Sequence, residues 1–391
     1  MKQLTVFLFF FTAFTVQAQE SIDEILRKIE LTNRELHARK ELAESQILEA
    51  KTGNYLPNPT IEYSHQWGNR SQMGKTGELE VRQEFDFPTV YAYRSEVAQL
   101  RRSQYDRERA AFRLELLLRA KEVCIELLYL QKQKVFLTER LSNARRLSEL
   151  YSRRLAAGDA NILDVNKIEM ELIGVQTEVD LNSLAISAKL TELANLNGGE
   201  RLSFTLREYP AVRPPDDFES LYRYYLERSP ELQGYKNEQA VADKEVALSK
   251  AQVLPKFALG YKGDYAFGEN FNGVLVGLSI PMFENKNTVK RAKAQARFAE
   301  AQAENAVLNL RSELQKLYDQ ANTLQNALQK AHVIIERFGN YEPLNEALEM
   351  GEILITDYFF ELISRYECYR TLLELERDYH LTLARLYKYE L

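Results

Sequence analysis

Cysteine, histidine, glycine and proline are all scarce: 391 residues hold 2 Cys, 4 His, 16 Gly and 10 Pro. Cys124 and Cys368 are unrelated in position, which excludes a disulfide framework, and both read as free, small, buried residues. The four histidines (His37, His65, His332, His380) are dispersed, so nothing has the ligand spacing of a metal centre. No Ser/His/Asp arrangement and no phosphate-cradling glycine loop accompanies them, so neither a cofactor nor an enzyme is expected. A net charge of −6, with Lys and Arg scattered as on a solvated face, leaves no footprint for nucleic acid.

Long apolar runs are also missing, except at the start. Lys2 precedes the apolar run Leu4 to Val16, and Val16-Gln17-Ala18 has the small residues of a cleavage site. Residues 1–18 therefore read as a secretory signal cleaved after Ala18. The run is shorter than the ~20 residues of a spanning helix. No cysteine follows the site to carry a lipid anchor. The exported chain has no apolar window long enough for a transmembrane helix, but barrel strands give a far weaker signal and are not excluded.

The scarcity of Gly and Pro has a positive side. None occurs between Pro88 and Gly158, or between Pro281 and Gly339. At ~1.5 Å per residue, each run as a helix reaches roughly 90 to 100 Å. Leu310, Leu314, Leu317, Ala321, Leu324, Leu328 and Ala331 step by four and three, as do Leu137, Leu141, Ala144, Ser148, Tyr151 and Leu155. That is a coiled-coil seam. Upstream, Ala292, Ala296, Ala299, Ala303 and Ala306 keep the rhythm until a stutter between 306 and 314.

The chain is written twice. "TNREL" at 32 returns as "RSPEL" at 228, "YLPN" at 55 as "VLPK" at 253, "DFP" at 86 as "SIP" at 279, and "LAAGDANILDV" at 155 as "LEMGEILITDY" at 348, with offsets of 196, 198, 193 and 193. The first repeat occupies 19–210, with strands at about 60–67 and 78–87 and a tip at 156–165; the second occupies 211–391, with strands at about 256–267 and 273–281 and a tip at 349–358. Each repeat opens on a helical segment, continuous from Ser21 to Ala50 in the first. The strands follow from a change of period. Leu79, Val81, Phe85 and Phe87 alternate with Glu78, Glu80, Arg82, Glu84 and Asp86, and Phe257, Leu259, Tyr261, Tyr265 and Phe267 alternate with Ala258, Gly260, Lys262, Asp264 and Ala266.

Strands of 8 to 11 residues match the ~9 to 11 that cross a bilayer obliquely. Four strands cannot close alone, and an open edge leaves backbone groups unpaired in lipid. Several copies must therefore join, with 8, 12 or 16 strands in all. Lipid then meets the apolar faces, with Trp67, Tyr63 and Tyr261 for an aromatic belt, and Glu78, Glu80, Glu84 and Asp86 line water. At the tips, Gly158 and Gly351 end long helices. Asp164 and Asp357 open the returning helices, where a carboxylate accepts backbone N–H groups and meets the positive end of the dipole.

Helix, hairpin, long helix, Gly-x5-Asp tip and returning helix, twice over after an export signal, resembles the TolC family of outer-membrane efflux ducts across nearly all of the mature chain. The resemblance implies a mainly α fold with membrane β: a homotrimer whose four strands per chain close a twelve-stranded barrel in the outer membrane, with a coiled-coil α-helical barrel in the periplasm. It implies a passive exit conduit, docked to a periplasmic adaptor (a membrane fusion protein) and an inner-membrane efflux transporter of the resistance-nodulation-division type. The docking tips are then Gly158, Leu163, Gly351 and Ile355. Asp357 matches the family's gate residue and Asp164 the first-repeat aspartate. Some members carry a second acidic ring three residues after Asp357; Phe360 stands there and implies an aromatic constriction. "LPNP" at 56–59 is similar to the CzcC-like branch serving heavy-metal and cation pumps. The rival expectation is a secreted coiled-coil scaffold or adhesin, which leaves the two apolar-faced hairpins unexplained.

Overall fold

The structure, a computed structural model, describes residues 21–69, 74–338 and 342–391. The signal over 1–18 lies outside them. The first half runs α1 (Ile22–Thr32), α2 (Arg34–Thr52), β1 (Thr60–Trp67), β2 (Lys75–Phe85), α3 (Pro88–Ala157) and α4 (Ile162–Leu196). The second half runs α5 (Phe218–Arg228), α6 (Pro230–Ala251), β3 (Lys256–Ala266), β4 (Glu269–Ser279), α7 (Thr288–Phe338), α8 (Glu342–Glu349) and α9 (Ile355–Leu386), the same order with one helix more. None of the described helices is long and apolar enough to cross a membrane, which says nothing of strands.

The chain divides into two compact units. One contains the described part of Met1–Thr32 with Arg119–Val212 and Asn326–Leu381; the other contains Asn33–Leu118, Arg213–Gln325 and Thr382–Leu391.

The "TNREL" and "RSPEL" copies turn out to be helix breaks. Asn33 caps α2, its side chain accepting the Leu36 N–H at 2.9 Å, and Ser229 caps α6, accepting the Leu232 N–H at 3.2 Å with Pro230 just inside. Each satisfies a donor that the first helical turn leaves open. The expected single helix from Ser21 to Ala50 is therefore two, because apolar periodicity runs through a cap without registering it.

The four strands form one antiparallel sheet in the order β1-β2-β3-β4. β1 covers the expected span, while β2 is shifted, starting at Lys75 rather than about 78 and ending at Phe85 rather than about 87. β3 and β4 are joined by the two-residue turn Phe267-Gly268, both at positive φ (55° and 89°). That is the type I′ geometry that suits the strand twist. β4 consequently begins at Glu269 rather than about 273.

The heptad seams are mostly buried. Leu137, Leu141, Ala144 and Tyr151 pack inward in the first unit, and Leu310, Leu314, Leu317 and Ala321 in the second. Cys124 is buried as expected, but Cys368 is exposed on α9, so the buried reading fails for it. In the first unit the His380 ring stacks on Tyr209 at 4.3 Å, holding the segment after α4 to α9, and Lys132 of α3 bonds Glu376 of α9 at 3.0 Å.

Candidate functional site: paired tips and a two-faced sheet

The first unit brings both tips together. Leu147 and Tyr151 of α3, Val165 and Ile168 of α4, Leu348 of α8 and Ile355, Tyr358, Leu362 and Tyr366 of α9 form one buried cluster. Both turns are built alike. After α3, Gly158 adopts φ 80°, Asp159 N–H donates to the Arg154 carbonyl at 2.8 Å and Gly158 N–H to that of Leu155 at 3.0 Å. After α8, Gly351 adopts φ 76°, Glu352 N–H donates to the Ala347 carbonyl at 2.9 Å and Gly351 N–H to that of Leu348 at 3.2 Å. This double bond pattern closes a helix C-terminus, and it needs the left-handed residue that glycine supplies.

The helices that return from the two turns start differently. Asn161 caps α4, accepting the Leu163 N–H at 3.0 Å; Leu354 occupies the matching place before α9 and has no side-chain acceptor. The caps expected at Asp164 and Asp357 are thus corrected. Both aspartates are the third residue of their helix, inside the first turn, where the positive dipole end favours a carboxylate.

Among the residues singled out at the gate, Asp357 and Phe360 are exposed, Phe360 at 72 %, and a spacing of three puts them on one face of α9. Asp164 is half-buried. Its charge together with burial pushes the Tyr151 hydroxyl upward from its ordinary value, burial being the larger cause and Arg154 opposing it. At the docking positions, Gly158, Gly351 and Leu163 are exposed, but Ile355 is not. Its side chain is 6 % exposed within the cluster, while the neighbouring Leu354 is 69 % exposed. The helix starts one residue past the outward-facing position, so Ile355 points inward.

A polar network that sequence reading missed runs through this cluster. Asn143 Nδ2 donates to the Tyr358 hydroxyl at 2.8 Å, and that hydroxyl donates to Asn345 Oδ1 at 2.7 Å, all three residues being buried. Arg146 extends it, donating to Asn143 Oδ1 at 3.1 Å and to the Glu349 carboxylate at 2.7 Å. Arg154 donates to the Glu349 carbonyl at 2.7 Å, one of the open acceptors at the end of α8. The only signal in the sequence is the tyrosine in "ITDY" where the first tip has "LDV"; its partners are remote in the chain.

In the second unit, strand pairing sorts the sheet into two faces. Ile61, Val81, Tyr261 and Val274 lie side by side across all four strands, as do Glu62, Glu80, Lys262 and Gly273 on the opposite face. The polar face carries Glu62, Glu78, Glu80, Glu84 and Asp264 against Arg82 and Lys262. Lys262 donates to the Glu78 carboxylate, so the acidic character is partly compensated. Asp86 must be removed from that lining: it lies beyond the end of β2 and is paired with Arg94 at 2.8 Å, its side chain 16 % exposed. Tyr63, His65 and Trp67 make an aromatic ladder on the apolar face of β1, with centroids 6.5 and 6.0 Å apart.

Solved structures with this architecture include the Campylobacter jejuni CmeC outer membrane channel, with a TM-score of 0.80 at 12 % identity over 94 % of this chain and 85 % of that one. The outer-membrane channel OprN gives 0.79 at 15 % identity over 94 % and 89 %. The fold is thus the one these channel proteins share. Residues 221–337 match the outer membrane efflux protein family. The Pseudomonas aeruginosa pyoverdine export outer membrane protein OpmQ is 28 % identical over 170 residues, 43 % of this chain and 35 % of that protein's length. Over part of its length the chain is thus similar to outer membrane efflux proteins.

Proposed function

We propose that this protein is the outer-membrane duct of a tripartite efflux system, a passive exit for solutes handed over by an inner-membrane transporter and a periplasmic adaptor. One observation carries the reading: a four-stranded sheet with one apolar and one charged face whose outer strands, β1 and β4, have no strand partner on their free sides among the described residues. In lipid such a sheet is stable only when other copies complete it, and three copies give the twelve-stranded closure.

A second apolar surface supports self-assembly. α4 buries Val165, Ile168, Val175 and Leu193, yet Leu163, Met170, Ile173, Leu181 and Leu184 on its other side are exposed. A helix apolar on two sides needs two neighbours, and the second is a further copy. Asp357 and Phe360 then converge at the periplasmic entrance, with Asp164 behind them. Gly158, Leu163, Gly351 and the exposed Leu354 offer the adaptor its docking surface. The cargo class is cationic, consistent with the acidic polar face and with the "LPNP" likeness to the heavy-metal branch; the pump is of the resistance-nodulation-division type.

Reconstitution tests this directly. Detergent extraction should yield a heat-resistant oligomer that gives discrete, cation-preferring conductance in a planar bilayer, with the preference lowered by Asp357→Asn. A water-soluble elongated particle without conductance would refute the duct.

A further inference from the structure

The polar face of the sheet contains a cation held in an unusual way. Arg82 pairs through Gly260 of β3 toward Leu275 of β4, and one step along, Glu84 pairs through Ala258 toward Gly277. Three of these floor positions, Ala258, Gly260 and Gly277, are small. A β-carbon added to Gly277 would lie 3.8 Å from Arg82 Nη2 and 3.2 Å from the Ala258 methyl. The guanidinium therefore reaches across β3 and rests over β4. Ala258 is buried, and Arg82 Nε is closed off from solvent with no hydrogen bond. Nη2 stays 3.4 Å from Glu84 Oε1. At Gly260 itself a β-carbon would meet the Val81 carbonyl oxygen at 2.4 Å, so nothing larger fits there.

We infer that Arg82 is a selectivity-determining residue of the bore, and that the Ala258, Gly260 and Gly277 floor exists to lay its guanidinium along the wall beside Glu84. The inference rests on the duct reading, which turns this face inward. Flat against the wall, the cation neutralises Glu84 and leaves Glu62 and Glu80, direct cross-strand neighbours, to attract cations. A β-carbon alone at position 277 would only touch the guanidinium, but a side chain as long as leucine would extend into its place and drive it into the bore, narrowing the passage and adding a positive ring, one charge per copy. Ion preference in a pore follows such rings of side-chain charge.

The test is ion preference in planar bilayers with heat-resistant oligomer. Arg82→Gln should raise the cation-to-anion permeability ratio, and Gly277→Leu should lower it together with the single-channel conductance, each change about twofold or more at low salt. Both differences should shrink in about 1 M salt, where charges are screened beyond a few ångströms. If Gly277→Leu fails to assemble, Arg82→Gln against Arg82→Lys decides alone, the lysine keeping the ratio nearer to wild type. Wild-type conductance with the same ratio in Arg82→Gln overturns this inference and leaves the duct standing. No conductance from wild-type oligomer overturns both.

Discussion

The Tyr358 hydroxyl lies 2.8 Å from Asn143 Nδ2, joining α9 to α3 through residues 215 positions apart. That oxygen also donates to Asn345, so one buried group holds α8 and α9 against α3. Tyr358→Phe leaves two buried amide groups without this partner, at a cost of about 1–3 kcal/mol. The purified oligomer should melt at a lower temperature, and amide exchange should quicken in α8.

Acid should loosen the first unit through His380. Burial, and secondarily the charge of Lys132, holds its imidazole down to about 4 from an ordinary 6.5. The unfolded chain takes up this proton near 6.5 and the folded chain only near 4. The stabilisation is therefore complete above about pH 6.5 and is lost as pH falls toward 4, amounting to on the order of 2–3 kcal/mol. His380→Phe should keep the stack on Tyr209 while flattening the stability profile across that window, as read by thermal melts at fixed salt.

Alanine at the tip glycines should be costly for backbone reasons alone. Gly158 and Gly351 have open space around them, and their strain comes only from positive φ, so each Gly→Ala change should lose about 1–2 kcal/mol. Gly53, also in open space but at φ −74°, is the control: Gly53→Ala should be neutral or slightly stabilising. Chemical denaturation of the three variants provides the comparison.

The outer side of α4 should be needed between copies and dispensable within one. Ile173→Glu or Leu184→Glu puts a charge where the single chain buries nothing. Helix content by circular dichroism should be retained while the heat-resistant oligomer disappears from gels.

Much of the architecture was legible because physical periods are hard to hide. β2 alternates Glu with Leu and Val because one face is polar, and the seam of α7 shows in a four-three rhythm because it is buried. Local exceptions were not legible. Phe267 looks like one more aromatic strand residue, and only the backbone reveals it as the first turn position. Asn33 interrupts a helix without interrupting its apolar stripe. Ile355 and Leu354 are chemically alike, and which one faces inward depends on where α9 begins. The Tyr358 network was out of reach for a different reason: hydrogen-bond partners far apart in sequence leave no spacing to read. The tip aspartates do lie in the first turn, but at the first tip the capping falls to Asn161, whose short amide, three residues before Asp164, accepts the Leu163 N–H, and at the second tip Leu354 offers no such group.

The two joints that lead from the sheet into a long helix, β2 to α3 and β4 to α7, differ in slack. Pro88 is the first residue of α3, so only Asp86 and Phe87 separate it from β2, and the Asp86–Arg94 pair clamps even those. Between β4 and α7 the chain spends residues 280–287, with Met282 and Phe283 exposed and Asn287 at φ 67°. A proline-locked joint transmits any rotation of the sheet straight into its helix, whereas eight intervening residues have enough free dihedrals to absorb it. Of these two exits from the sheet, the one into α3 is therefore the stiff elbow and the one into α7 the compliant one.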